Sequence, residues 1–121
     1  MRGVGADIVE TARIGRSLRR SAAFGESVFS ADERRFCDAQ PSPDQHYAAR
    51  FAAKEAFLKA VGRGVLDLPL AEIEVVRAPD GRPSLRLGPT AGAALAAAGG
   101  GQPMVTLSHE AGLALAFVVV A

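Results

Sequence analysis

Residues 44–64 read DQHYAARFAAKEAFLKAVGRG, and this stretch carries the strongest helix pattern in the chain. It is rich in alanine, the residue with the highest helix propensity. Phe51 and Leu58 lie two turns apart on one side of the predicted helix. Gly62 and Gly64 follow it, and glycine is the residue with which many helices end. The stretch therefore predicts a long central helix that ends at residue 61.

The chain opens with a strand pattern. Residues 3–9 read GVGADIV, in which apolar residues alternate with glycine and aspartate. The side chains at positions 4, 6 and 8 share one face of the predicted strand. Asp7 points to the other face together with Gly3 and Gly5.

Two shorter helices are predicted between this strand and the long helix. The first covers residues 10–20, with Ile14 and Leu18 one turn apart. The second begins at Ser30, because Glu33 three residues later completes a capping box, and it continues through position 36. Prolines at positions 41 and 43 then break the helical pattern.

The second half of the chain is mainly strand. After position 69 the hydrophobic period changes from 3.6 to 2, and Pro79-Asp80-Gly81 supplies a hairpin turn. We place a β-hairpin, a small alanine-rich helix and two strands at residues 73–87, 89–98, 104–109 and 113–120. The order β-α-α-α-β-β-α-β-β predicts an α+β fold, with helices packed on a mainly antiparallel sheet.

Length and composition narrow the class of protein. The 121 residues fit a single domain over positions 1–121, and 49% hydrophobic with 22% charged residues is typical of a packed globular protein. No stretch approaches ~20 consecutive apolar residues, and the N-terminus does not resemble a signal peptide. One cysteine, Cys37, excludes an internal disulfide, and two histidines are too few for a typical structural zinc site. We expect a soluble, cytoplasmic protein with no membrane partner, in which any metal has oxygen ligands.

The net charge of +1 conceals a basic cluster. No acidic residue interrupts positions 11–25, where Arg13, Arg16 and Arg20 fall on one side of the first predicted helix. This surface is either an ordinary solvated face or a dock for an acidic protein. Nucleic acid is not expected as a partner, because no aromatic residues interleave with the arginines and the overall charge is nearly balanced.

Three motifs stand out in the sequence. They are GVGADIVE at positions 3–10, followed by Arg13-Ile14; RFAAKEAFLKA at 50–60, followed by Gly-Arg-Gly; and VTLSHE at 105–110. In this order and spacing they resemble the holo-acyl-carrier-protein synthases, the small stand-alone class of 4′-phosphopantetheinyl transferases. The resemblance implies transfer of the phosphopantetheine arm of coenzyme A to a serine of an acyl carrier protein, with release of adenosine 3′,5′-bisphosphate. It also implies a homotrimer with active sites between neighbouring subunits.

The resemblance implies that Asp7 and Glu55 hold Mg²⁺. Residue chemistry agrees, because attack on a diphosphate builds negative charge that a hard cation offsets, and one or two carboxylates commonly hold Mg²⁺. Outside this motif, Asp7 would be an acid at a strand end and Glu55 would form a surface pair with Lys59. The base for the carrier serine is either Glu55 or a water on the metal.

Basic residues around Glu55 would neutralise the phosphates of coenzyme A. The resemblance makes Arg50 and Lys59 ligands of these phosphates, with Lys59 also a catalytic residue beside Asp7 and Glu55. Lys54 is either a further ligand or a solvated residue of the helix.

The remaining motif residues have two interpretations each. Gly62 and Gly64 either allow the backbone to approach the nucleotide or only end the helix. Ser108 and His109 belong to the last motif, which the resemblance places near the nucleotide. The alternative for His109 is a core histidine, because it shares a strand face with Val105.

The resemblance assigns recognition of an acidic carrier protein to the first helix, and so to Arg13, Arg16 and Arg20. Two other functions remain open. One is a non-catalytic module that binds coenzyme A, and the other is a structural domain that oligomerises through the apolar strand at residues 113–120. The presence of both motif acids favours the enzyme.

Overall fold

The computed structural model describes residues 2–121, and it has the α+β architecture that the sequence predicts. The strands are β1 Gly3–Glu10, β2 Ile73–Arg77, β3 Pro83–Leu87, β4 Pro103–Glu110 and β5 Leu113–Val120. The helices are α1 Thr11–Arg20, α2 Ala22–Val28, α3 Ala31–Asp38, α4 Pro43–Val61 and α5 Pro89–Ala97, with a 3₁₀ turn at Leu70–Glu72. None of the helices within residues 2–121 is long and apolar enough to cross a membrane.

The strands form two antiparallel sheets. β5 lies at the centre of a three-stranded sheet between β1 and β4, and β2 pairs with β3 as the predicted hairpin. Asp7 of β1 and Leu107 of β4 both lie opposite Ala116 of β5. Glu10 and Glu110 likewise share one partner on β5. The first and last sequence motifs therefore finish at the same end of the sheet.

Close packing of β1 on α4 depends on Gly3 and Gly5. A Cβ at Gly3 would lie 2.0 Å from the carbonyl oxygen of Ala60, and one at Gly5 would lie 2.0 Å from that of Ala56. Neither distance leaves room for a side chain, so the two glycines allow the strand to lie against the helix backbone. Because strand side chains alternate between faces, Asp7 is on this same helix-facing side. The predicted alternation of the first strand is confirmed.

α4 is enclosed on nearly every side. It packs against the three-stranded sheet, α1, α3 and β2, which explains why alanine is so frequent along it. Ala52, Ala56 and Phe57 are fully buried. Beyond the first turn of α4, every residue except Glu55 and Lys59 is buried. The fold therefore exposes the helix selectively at these two side chains.

The capping box at Ser30 and the glycine end of α4 are confirmed, whereas α3 extends to Asp38, two residues beyond its predicted end. The Ser30 hydroxyl accepts from the Glu33 amide at 3.1 Å, while Glu33 Oε1 accepts from the Ser30 amide at 3.0 Å. Gly62 ends α4 in the left-handed conformation at φ 73°. α2 is not among the predicted helices, because its seven residues are too few to display a clear hydrophobic period.

Candidate active site between the first strand and the long helix

Asp7 and Lys59 meet where β1 lies against α4. Lys59 Nζ lies 3.4 Å from Asp7 Oδ1 and donates to the carbonyl oxygen of Ala6 at 2.9 Å. The two side chains are 19% and 56% exposed, respectively. An ion pair open to solvent contributes only about 0–1 kcal/mol to folding. Its main consequence is to hold a carboxylate and an ammonium group together at an accessible point of the surface.

Glu55 adds a second carboxylate to this pair. It lies one turn before Lys59 on α4 and is half-buried. Burial raises the pKa of Glu55 above its ordinary value and the nearby Asp7 carboxylate raises it further, while Lys59 and Arg13 act in the opposite direction. Two carboxylates that repel each other in this way are stabilised by a cation between them.

The donor set of Asp7 and Glu55 fits Mg²⁺. Both residues supply hard carboxylate oxygens, and Mg²⁺ is usually bound through one or two carboxylates together with substrate phosphates and water. Residues 2–121 contain no cluster of three or more His, Cys, Asp or Glu side chains that could enclose a metal on their own. The two residues could therefore hold a cation that a phosphate-bearing substrate helps to coordinate.

The basic face of α1 adjoins these carboxylates. Arg13, Arg16 and Arg20 are all exposed, as predicted. The Arg13 guanidinium lies 5.8 Å from the ring centroid of Phe51 on α4, and it lowers the pKa of Glu55. A molecule bound to this face would consequently lie beside the candidate metal ligands.

Arg50 lies on a different side of α4. It is 2% exposed, and its guanidinium carbon lies 4.4 Å from the ring centroid of Phe36. Nη1 donates to the carbonyl oxygen of His46 at 3.4 Å, while the buried Nε has no hydrogen-bond partner in the structure of residues 2–121. Arg50 lines a depression together with Arg77 and Arg86. The acidic residues Asp32 and Glu33 also line this depression, and the Asp7 carboxylate is not part of it.

The structure corrects the prediction for Lys54. Its side chain is 0% exposed and cannot solvate the helix or reach a substrate phosphate in this conformation. Lys54 Nζ donates to Glu33 Oε1 at 2.7 Å and to the carbonyl oxygens of Ile73 and Leu70 at 2.6 and 3.1 Å. Burial lowers the pKa of Lys54, and Glu33 opposes that shift. The ammonium group is thus fully engaged inside the protein.

His109 is on the surface, and the alternative of a core histidine is wrong. Ser108 and His109 are both exposed near the end of β4 and line a depression with Ile8 of β1. The side-chain amide of Gln45 donates to His109 Nε2 at 3.0 Å. This bond connects the last sequence motif to the first turn of α4.

Gly62 and Gly64 lie in the exposed segment after α4. Gly62 requires glycine because its φ is 73°, in the left-handed region, so its role as a helix terminator is confirmed. The Gly64 amide donates to Asp67 Oδ2 at 2.7 Å. Contact of either glycine with a nucleotide stays a prediction.

Sequence reasoning missed Glu33 as a partner of Lys54 on α4 and Gln45 as a partner of His109. Glu33 was predicted only as part of a capping box. A lysine placed within a run of alanines was a usable indication that Lys54 has a buried acidic partner, because an unpaired charge is costly in a core. Nothing in the spacing of Gln45 and His109 indicates their contact.

Comparison with known proteins identifies the family. A family model of the 4′-phosphopantetheinyl transferase superfamily matches residues 3–117. The chain belongs to this superfamily. The holo-[acyl-carrier-protein] synthase of Geobacter sp. (strain M21) is 42% identical to this member over 119 residues, which are 97% of this chain and 95% of the relative.

Solved structures of the superfamily share the fold along the whole chain. A holo-[acyl-carrier-protein] synthase from Neisseria meningitidis superposes with a TM-score of 0.90 at 32% identity, covering 100% of this chain and 98% of that one. The Helicobacter pylori holo-[acyl-carrier-protein] synthase in complex with coenzyme A gives a TM-score of 0.84 at 30% identity, with coverages of 98% and 99%. The expected α+β fold of a 4′-phosphopantetheinyl transferase is therefore confirmed.

Proposed function

We propose that this protein transfers the 4′-phosphopantetheine group of coenzyme A to a serine hydroxyl of an apo acyl carrier protein. Membership of the superfamily and the names of the relatives support this reaction. The observation that carries the proposal is the meeting of Asp7, Glu55 and Lys59, two carboxylates and an ammonium group, at one accessible point. A diphosphate substrate needs such an arrangement, since its reaction builds negative charge on phosphate oxygens.

In the proposed reaction, the serine oxygen bonds to the phosphorus that bears pantetheine, and the bond from that phosphorus to the leaving phosphate breaks. Adenosine 3′,5′-bisphosphate departs, and the serine proton passes to Glu55. Glu55 carries the second carboxylate of the site, one turn before Lys59 on α4, and is the group that we assign to accept this proton. Lys59 lies beside Asp7 and would donate to the leaving phosphate.

We assign Asp7 and Glu55 as the residues that hold Mg²⁺. A bound Mg²⁺ would neutralise charge on the diphosphate and orient it for attack. Asp7 is fixed for this task by the β1 backbone, and Glu55 by the enclosed helix α4. We further propose that Arg50 binds a phosphate of coenzyme A, and that Ser108 and His109 contact the nucleotide. Because Arg50 is 2% exposed in this structure, its contact requires neighbouring side chains to move aside.

We propose that the carrier protein docks on α1. Arg13, Arg16 and Arg20 are exposed, and the helix begins directly after the strand that bears Asp7. An acidic partner would be attracted to this basic face and would place its serine near Glu55. Contacts of this kind act mainly on the association rate and on salt sensitivity.

We propose that the protein is a homotrimer in the cytoplasm. The face of the three-stranded sheet that points away from α4 includes Thr106 and Ser108 but is mainly apolar. It exposes large side chains on β1, β4 and β5: Val4, Ile8, Met104, Leu113, Leu115 and Phe117. Ile8 is 60% exposed and Phe117 42%. A continuous apolar face of this kind marks a protein interface. The free, buried thiol of Cys37 fits a reducing compartment.

Mass spectrometry tests the reaction directly. A panel of apo carrier proteins from fatty-acid, polyketide and peptide synthases is incubated with the enzyme, coenzyme A and Mg²⁺, and we expect one of them to gain the mass of one phosphopantetheine group. Glu55→Gln should abolish this gain, while the matched control Glu26→Gln, an exposed glutamate on α2, should preserve it. Binding of coenzyme A without any mass gain across the panel would instead support the non-catalytic module.

A further inference from the structure

A buried ion pair connects α4 to α3. Glu33 and Lys54 side chains are both 0% exposed, and Lys54 Nζ lies 2.7 Å from Glu33 Oε1. Because Lys54 also donates to the carbonyl oxygens of Leu70 and Ile73, all three hydrogens of its ammonium group have an acceptor. The Lys54 side chain therefore has one preferred position.

Glu33 is fixed as firmly as its partner. Its Oε1 also accepts from the Ser30 amide at 3.0 Å, which closes the capping box of α3. Its Oε2 accepts from the amide of Val75 on β2 at 2.9 Å. The pair thus joins the start of α3, the middle of α4, the 3₁₀ turn and β2 in one hydrogen-bonded unit.

The anchored lysine directly precedes Glu55. Neighbouring residues of an α-helix point about 100° apart around its axis, so fixing the direction of Lys54 also fixes the direction of Glu55. Close packing on β1 and the buried Phe57 hold this stretch of α4 through apolar and backbone contacts. The Glu33–Lys54 pair adds a directional, hydrogen-bonded contact to α3 and β2 on top of that packing.

Stability does not explain this pair well. Replacing a buried ion pair by uncharged side chains of similar volume is often neutral or stabilising, because two charges lose their hydration. Fixed geometry is a better explanation, since small displacements of a reacting group cause large losses of rate.

We propose that Glu33 and Lys54 are positioning residues, which set the rotation of α4 and thereby aim the Glu55 carboxylate at the site it shares with Asp7. This inference rests on the proposed function, because it concerns the residue assigned to the metal and to the serine proton. Both side chains are fully buried and neither is proposed to bind substrate, although Glu33 borders the depression that Arg50 lines. Both act through the backbone of α4.

The double variant Glu33→Gln/Lys54→Met tests the proposal, since it removes both charges while keeping side chains of similar length. We expect kcat to fall about 10- to 100-fold, and the Mg²⁺ concentration that gives half of the maximal rise in melting temperature to increase by a similar factor. The KM for coenzyme A should change much less, because Arg50 and Lys59 remain. The control is Leu95→Ala, a half-buried site on α5 that packs against the core and takes no part in this hydrogen-bonded unit. It should lower the melting temperature but leave kcat and the magnesium midpoint unchanged.

Wild-type kcat and magnesium midpoint in the double variant would overturn the proposal, as would equal losses in Leu95→Ala. If the double variant does not fold, Glu33→Asp keeps both charges, shortens the acid by one methylene group and serves the same comparison, with a smaller loss in the same direction expected. An inactive wild-type enzyme would overturn the proposed function instead. In that case, the Mg²⁺ concentration at the midpoint of the rise in melting temperature would still show whether Glu33 and Lys54 position Glu55.

Discussion

Gly5→Ala changes the distance between β1 and α4, on which the candidate site depends. The added Cβ would lie 2.0 Å from the carbonyl oxygen of Ala56 and 2.8 Å from the amide nitrogen of Ala60, whereas ordinary contact begins at 3.4 Å. Both obstacles are backbone atoms of an enclosed helix, so no side-chain rotation relieves the overlap. The strand has to move away by about 1 Å or more. Overpacking of this kind costs about 1–3 kcal/mol of folding free energy.

The functional loss should exceed the loss of stability. Asp7 lies two residues further along the same strand face, so the shift of β1 moves its carboxylate away from Glu55. We expect kcat to fall about 100-fold, because a displacement near 1 Å can reduce a rate by that factor. The assay follows transfer of phosphopantetheine to the apo carrier protein by mass spectrometry, at a temperature well below the melting point of the variant.

Gly92→Ala is the matched control. A Cβ at Gly92 on α5 meets no atom within 4 Å, and alanine in a helix is favoured over glycine by about 0.5–1 kcal/mol. This variant should be slightly more stable than the wild type and equally active. Wild-type melting temperature and kcat in Gly5→Ala would refute the argument that the glycine sets the geometry of the site.

Four further predictions concern the candidate site and the surfaces around it. Asp7→Ala and Glu55→Gln should each abolish transfer without unfolding the protein, and substantial activity at saturating Mg²⁺ would refute their role as ligands. In metal-free protein, Glu55→Gln should melt above the wild type at pH 7, because burial and the Asp7 carboxylate raise the pKa of Glu55 and disfavour its ionised form. That advantage should vanish below the ordinary glutamate pKa of 4.5, and its absence in a pH series of melting curves would contradict the proposed repulsion. Charge reversal by Arg13→Glu and Arg16→Glu should slow reaction with the carrier protein by at least about 10-fold while leaving coenzyme A binding unchanged, and equal losses in both would argue against a docking face. Phe117→Asp should convert the oligomer to monomer in gel filtration with light scattering, and an unchanged mass would exclude this face as the interface.

The sequence predicts the local elements well because their causes are local. The capping box at Ser30, the glycine end of α4 and the alternation around Asp7 each depend on residues a few positions apart. The length of α4 likewise follows from an alanine-rich pattern with clear ends. α2 was not predicted, since its boundaries depend on packing against neighbouring elements more than on its own seven residues.

The candidate site is only partly predictable, because its geometry depends on contacts between elements that are far apart in the sequence. Asp7, Glu55 and Lys59 could be placed together through motif resemblance, but the side of α4 that each residue occupies depends on the tertiary structure. Lys54 and Glu55 are adjacent in sequence, yet one is sealed in the core by Glu33 and the other reaches the site. Neighbouring side chains point in different directions around the helix axis, and the packing of β2 and α3 decides which of the two is enclosed.

The most direct test of the central proposal is to locate a divalent cation by its anomalous scattering. Crystals grown with coenzyme A and Mn²⁺, a substitute for Mg²⁺ with a measurable anomalous signal, would show where the ion lies. We predict one strong peak bonded to carboxylate oxygens of both Asp7 and Glu55 and to a phosphate of coenzyme A. A peak bound elsewhere, or carboxylates too far apart to share one ion in every subunit, would contradict the account.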